Sequence, residues 1–314
     1  MVAAVEKKAG SGKDAQEAPK EERKAGAKVE LFRAAAGDVV RALQKISGAG
    51  GRSRTMAILT HVLIVKDGAK VRFTASDLEE QLSVEAELGG SPGKATVTAE
   101  LRKLMDILKA LQADVMVSMV SDGVKSTITA GRSKFTVASL EASDFPLMTE
   151  AAYDCAVVLK QGVLRNMIDD VSYSMAVADI RYYLNGMLLE TDETTVYAVA
   201  TDGHRLAMSE ARTEKTMDKR SIILPRKVVG EMAKLLSDGA EDVELRLASS
   251  QACLTIGDVK MVTKLVEGKF PDYRRVIPQR VKESVTFDRV ELASALRRAA
   301  LMTSERFKGV RLGF

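Results

Sequence analysis

An internal repeat of about 125 residues constrains this chain more than any single motif. Val39 recurs as Leu164, Leu59 as Leu184, and Leu111 as Leu236. Ala75-Ser76-Asp77 returns as Ala200-Thr201-Asp202, and Phe145-Pro146 as Phe270-Pro271. Self-similarity at such a period means similar domains in series. Val39, Ala42, Leu43 and Ile46 stand on one helical face. Leu164, Met167, Ile168 and Val171 reproduce the spacing, and Leu292, Ala295, Leu296 and Ala299 form a third instance. A strand-like segment precedes each, at residues 29–32, 157–159 and 285–287.

Residues 1–28, rich in Lys, Glu, Ala and Gly without an apolar face, read as a disordered tail. The repeats then define domains at 29–152 and 153–280, and a partial third at 281–314. That third copy has room for its first strand, its first helix and the start of a second strand at 309–312. A second helix is expected in each complete copy, over 98–111 and 225–236, with Pro225 in the first turn. Strand patterns cover 62–65, 71–75, 115–120, 135–140, 243–247 and 261–266. Lys66-Asp67-Gly68, Ser121-Asp122-Gly123 and Ser237-Asp238-Gly239 supply turns. Two helices and many antiparallel strands per copy make an α+β fold, with helices packed on one face of each sheet.

Composition narrows the function. No apolar run reaches the ~20 residues of a membrane helix. Cys155 and Cys253 have no CxxC partner, which suits a reducing cytosol with both thiols buried. With His61 and His204 they form no zinc-binding spacing, so neither metal nor cofactor is expected. Lys and Arg number 47 against 43 acidic residues, so a DNA-binding surface must come from local placement of charge.

Asp202 and His204, two apart, could form an acid–base pair. No G-x-S-x-G elbow or phosphate-cradling glycine loop accompanies them. The plainer reading is a turn in which Asp202 accepts from local backbone. Asp77 supports it, because the first copy keeps the aspartate but has Leu78 for Gly203 and no histidine. Basic residues recur on the expected helices: Arg41, Lys45, Arg165, Arg297 and Arg298 on first helices, and Arg102, Lys103, Lys109, Arg226, Lys227 and Lys234 on second ones. Any one of them can be an ordinary solvated residue. As a set they suit sequence-independent attraction to phosphates.

Three segments in order, Arg181-Tyr182-Tyr183-Leu184-Asn185-Gly186-Met187-Leu188, Ala200 to Leu206, and Lys264 to Arg275, resemble the bacterial DNA polymerase III β subunits, the sliding clamps. The resemblance covers about residues 29–314 and implies the DNA-clamp fold, its third domain incomplete here. In that family helices line a central hole and sheets form the outer wall. It implies a non-catalytic cytoplasmic processivity factor that encircles double-stranded DNA and tethers DNA polymerase III. Clamp loader subunits and other proteins with clamp-binding peptides are implied partners. Leu184, Thr201, Gly203, His204, Arg205, Leu206, Pro271, Arg275 and Val276 match its partner-peptide site. Arg52 or Arg54, with Arg181, Tyr182 and Tyr183, match loops that touch DNA, although either tyrosine could equally be core. Leu301 and Met302 match the seam of a head-to-tail homodimer. The short third copy keeps a rival reading open, a module that binds partner peptides without closing a ring.

Overall fold

The computed structural model describes residues 26–51, 56–278, 283–303 and 309–313. Arg52, Arg54 and residues 1–25 of the expected tail lie outside the described residues. The first copy comprises β1 (Val29–Ala35), α1 (Ala36–Ile46), β2 (His61–Asp67), β3 (Lys70–Ser76), β4 (Glu80–Glu87), β5 (Lys94–Glu100), α2 (Leu101–Lys109), β6 (Met116–Ser121), β7 (Lys125–Ala130) and β8 (Ser133–Ala138). The second comprises β9 (Cys155–Lys160), α3 (Gln161–Val171), β10 (Gly186–Thr201), β11 (Leu206–Pro225), α4 (Arg226–Leu235), β12 (Asp242–Leu247), β13 (Gln251–Ile256) and β14 (Val259–Lys264). Helix α5 (Arg289–Ala300) follows. All these strands pair antiparallel, in the α+β arrangement expected.

The repeat survives in atomic detail. Val39, Ala42, Leu43 and Ile46 bury one face of α1, and Leu164, Met167, Ile168 and Val171 bury the same face of α3. Neither helix has a side-chain N-cap. Their first N–H groups instead donate to loop carbonyls: Ala36 to Val115 and Gly37 to Ala113, Gln161 to Glu241 and Gly162 to Gly239. The close approach needs glycine, since a Cβ on Gly37 would meet Ala113 at 3.0 Å and one on Gly162 would meet Asp238 at 3.2 Å.

β10 occupies the place of β2 and β3 together, since an offset of 125 carries His61 to Gly186 and Ser76 to Thr201. Its register breaks around Glu193, the counterpart of Gly68, and both have left-handed backbone, at φ 52° and 64°. Leu78 and Gly203 form a second such pair, at φ 76° and 89°. Thus left-handed positions persist between copies while the residue filling them changes.

Several local expectations shift. Helix α2 begins at Leu101 rather than 98, because Thr98 belongs to β5 and its hydroxyl donates to the Leu140 carbonyl at 2.8 Å. Pro225 ends β11 and stands at the N-cap of α4 with extended ψ, one residue before the first turn. Cys253 is buried, but Cys155 on an edge strand is only half-buried.

The chain divides into two compact units, Met1–Phe270 and Pro271–Phe314. In the second unit α5 is capped by Asp288, whose side chain accepts from Glu291 N at 2.8 Å. No residue of α5 is buried. The expected strands at 285–287 and 309–312 are not strands, because none of the described strands pairs with them.

Within the first unit the two copies share one eight-stranded sheet, ordered β5-β2-β3-β4-β14-β13-β12-β9. The joint is β4 against β14, from Val84 opposite Val259 to Glu80 opposite Thr263. Backbone bonds extend it, from Lys264 N to Glu79 O at 2.9 Å and from Glu85 N to Asp258 O at 3.2 Å. Charges fasten the same boundary: Lys45 to Asp258 at 2.6 Å, Lys264 to Glu79 at 3.1 Å, and Lys227 to both Asp77 and Glu80. Glu80 is 1% exposed at its side chain and lies 2.8 Å from Lys227 Nζ. Burial pushes its carboxyl up in spite of that cation. Asp77 is held down, because Lys227 and the backbone N–H groups of Glu79 and Glu80 outweigh its own burial.

Two outcomes are expected. Lys227→Met should lower stability to chemical denaturation by about 1–3 kcal/mol, since Glu80 is left buried without its counter-charge. Adding Glu80→Leu should restore most of it, and an additive further loss would mean that the pair itself stabilises the joint. Glu193→Gly should raise stability by about 0.5–1 kcal/mol, because it removes a side chain from exposed left-handed backbone. An unchanged or lower denaturation midpoint would contradict this.

Candidate functional site

The hairpin between β10 and β11 carries the repeated motif, and its hydrogen bonds account for the residue types. Thr201 Oγ1 accepts from Gly203 N at 3.1 Å and donates to the Arg205 carbonyl at 2.7 Å. Asp202 Oδ1 accepts from His204 N at 2.9 Å and Arg205 N at 3.0 Å, while Oδ2 accepts from Arg205 Nε at 3.0 Å. These bonds, led by that from His204 N, hold the Asp202 carboxyl below its ordinary range. Ser76-Asp77 and Ser121-Asp122 build the same turn, with hydroxyl and carboxylate accepting from the N–H groups two and three residues on. Asp202 is therefore a turn-former. Gly203, His204 and Arg205 project into solvent, Leu206 is half-buried and Thr201 is buried.

Residues 176–185 form a loop beside this turn. Ala176 N donates to the Leu184 carbonyl at 3.0 Å and closes the loop at its base. Leu184, matched to the partner-peptide site by resemblance, is 2% exposed, because the tight turn Tyr182–Leu184 directs it into the core. Tyr182 is 56% exposed and Tyr183 half-buried, their rings edge to face at 5.8 Å. The core alternative therefore fails for Tyr182. Arg181 reaches the turn, donating from Nη2 to the Asp202 carbonyl at 3.3 Å. Arg205 reaches back, its guanidinium 5.6 Å from the centre of the Tyr173 ring.

Sequence reasoning did not single out Tyr173, Asp179 or Asn185 as site residues. The signal was present for Asp179, a carboxylate two residues before Arg181, and for Asn185, which stands inside the segment from Arg181 to Leu188 that carries the resemblance. In the second unit Pro271 and Val276 are exposed, Arg275 pairs with Asp272 at 2.8 Å, and Arg274 covers the Tyr273 ring. Leu301 and Met302 are exposed.

The basic set divides sharply. Arg41, Lys45, Arg165, Lys227 and Lys234 all carry ion pairs, and Arg226 donates to the Met175 carbonyl. Arg102, Lys103 and Lys109 on α2 are exposed without an ion pair among the described residues. No group of three or more His, Cys, Asp or Glu among the described residues could hold a metal ion. No helix there is long and apolar enough to cross a membrane.

Comparison with known proteins agrees with these features. Residues 31–149 match the family described as DNA polymerase III beta subunit, N-terminal domain, and residues 158–272 match its central domain. A beta sliding clamp of Pseudomonas putida is 40% identical over 277 residues, covering 87% of this chain and 75% of the relative. That of Escherichia coli is 34% identical over 276 residues with the same coverage. The solved structure of a Pseudomonas aeruginosa DnaN sliding clamp bound to griselimycin superposes with a TM-score of 0.86 at 37% identity, covering 90% of this chain and 76% of that one. A C. crescentus beta sliding clamp gives a TM-score of 0.83 at 29% identity, covering 90% of this chain and 77% of that one. The chain belongs to the family of DNA polymerase III β subunits, the β sliding clamps.

Proposed function

We propose that the chain is a replication processivity factor, a clamp that encircles duplex DNA, slides along it and tethers DNA polymerase III. The observation that carries this is the union of two copies edge to edge through β4 and β14, in a chain 40% identical to a β sliding clamp over 87% of its length. A body assembled by repeating one joint is suited to ring closure, and a ring retains DNA by topology. Its walls then need only weak, salt-screened contacts. In this reading the chain is non-catalytic, cytoplasmic and free of metal and cofactor. Its domains are 29–152, 153–280 and one beginning at 281.

Two edges have the form of the observed joint. β8 is the first copy's counterpart of β14, and residues 206–212 of β11 are the second copy's counterpart of β4. Among the described residues neither has a strand on its outer side. They support head-to-tail, heterologous assembly of a homodimer, with Leu301 and Met302 assigned to its seam. Arg52 or Arg54, Arg181, Tyr182 and Tyr183 are assigned to DNA, and Arg102, Lys103 and Lys109 of α2 add phosphate attraction. The partner-peptide role is assigned to Thr201, Gly203, His204, Arg205 and Leu206, with Leu184 behind them in the core. Pro271, Arg275 and Val276 keep the same role by resemblance. DNA polymerase III, clamp loader subunits and other proteins with clamp-binding peptides are the expected partners.

Loaded on nicked circular duplex, the clamp should survive gel filtration and leave once the circle is linearised; equal loss from both forms would sink the ring. For the free chain, binding to duplex should be indifferent to sequence and weaken with salt. Alanine at Arg102, Lys103 and Lys109 together should flatten the slope of log K against log salt by about 2–3. An unchanged slope would remove α2 from the DNA surface. Leu206→Asp should weaken binding of a fluorescein-labelled clamp-binding peptide of DNA polymerase III roughly tenfold or more, by placing an unpaired carboxylate on a half-buried apolar position. Griselimycin, bound by the P. aeruginosa clamp, serves as a second probe. Unchanged affinity for the peptide would overturn the site.

A further inference from the structure

The loop of residues 176–185 and the turn of residues 201–206 are distant in sequence, yet one side chain spans them. Arg181 grips Asp179 with its own N–H at 2.8 Å, its Nε at 3.0 Å and its Nη2 at 2.8 Å. Nη2 also donates to the Asp202 carbonyl at 3.3 Å. Nε and Nη2 are thereby engaged inside the protein, and Nη1 lies over Gly203. Both terminal nitrogens stand 3.2 Å from where a Cβ on Gly203 would be. Gly203 therefore answers two demands, left-handed backbone at φ 89° and room for the guanidinium.

Asp179 is itself anchored. Its N–H donates to Asn185 Oδ1 at 2.9 Å, and its carbonyl accepts from Asn185 Nδ2 at 2.8 Å. Arg226 N donates to the Asn185 carbonyl at 3.0 Å, which ties the loop to the start of α4. Arg181, first through its side chain and then through its N–H, holds the Asp179 carboxyl at about 2, so the pair stays ionised near neutral pH. The anchored carboxylate thus presents a fixed fork to the turn.

We propose that Arg181 is a positioning residue for partner-peptide recognition: clamped on Asp179, its guanidinium fixes the main chain of Asp202 and Gly203, so that His204 and Leu206 meet the peptide preset. It acts without touching the peptide, by removing the ordering cost that a loose turn would add to binding. This deepens, and rests on, the reading of residues 201–206 as the peptide site. It also makes the loop bearing Tyr182 and the docking turn one mechanical body.

The test uses the full chain and the fluorescein-labelled clamp-binding peptide of DNA polymerase III, with thermal melting recorded for each variant. Arg181→Lys keeps the charge but loses the fork, and Asp179→Asn keeps the guanidinium but loses its anchor. Each should weaken peptide binding roughly five- to tenfold, the scale of one lost charge-assisted contact, at an unchanged melting temperature. The double variant should bind no more weakly than the weaker single one, since both remove the same device. Loss with Arg181→Lys but not with Asp179→Asn would mean direct contact with the peptide and overturn the proposal. So would unchanged peptide binding in both singles beside a damaging Leu206→Asp, which would leave the peptide site itself standing. Intact peptide affinity in Arg181→Ala, beside a salt slope of DNA binding flatter by about one, would leave Arg181 only the DNA contact assigned above and likewise overturn it. If Leu206→Asp is itself without effect, the peptide reading fails and this proposal fails with it.

Discussion

Antiparallel pairing of β4 with β14 is the interaction on which the rest of the first unit depends. Without it the copies would be two short sheets, each presenting a long unpaired edge, the feature that invites misassociation. With it they become one sheet of eight strands. The pairing also brings Lys227 of one copy over Asp77 and Glu80 of the other, and Lys45 over Asp258. These ions follow from the pairing and do not cause it. Glu80 illustrates the order of events: a buried carboxylate is tolerable only where the joint has already delivered a lysine.

A second economy lies in the turns. Ser76-Asp77, Ser121-Asp122 and Thr201-Asp202 all use a hydroxyl and a carboxylate to accept from the N–H groups that follow, so the hairpin closes on its own side chains. In the first copy the turn at Asp77 is absorbed by the joint with the second copy. In the second copy the equivalent turn stays open, with glycine replacing leucine at the left-handed position and histidine and arginine following it. The two turns thus differ in what covers them and in the three residues after the aspartate, on an unchanged backbone.

The candidate site was legible where its residues had local jobs. Asp202 and Gly203 announce a turn because carboxylate acceptors and left-handed backbone are local matters, settled within four residues. The burial of Leu184 was not legible, because apolar residues look alike in sequence whether they face a ligand or a core, and only the tight turn at Tyr182–Leu184 decides which. The basic residues were misweighted for a related reason. Charge is visible in sequence, but its neutralisation by carboxylates 73 to 213 residues away is not, and of the helix cations in the complete copies those of α2 alone have neither an ion pair nor a carbonyl partner among the described residues.

The sequence by itself determined the repeat, the antiparallel α+β architecture, the apolar faces of α1 and α3 and the three aspartate turns, because each rests on periodicity or on contacts between near neighbours. Tertiary structure alone decided that the two copies share a sheet, that Thr98 joins β5 and not α2, and that Arg181 spans Asp179 and Asp202. It also left residues 285–287 and 309–312 without strand structure, although their patterns match strands elsewhere in the chain. The physical reason is common to all four. A strand is defined by its hydrogen-bonded partner and a charge by what neutralises it, and neither partner is written in the local sequence.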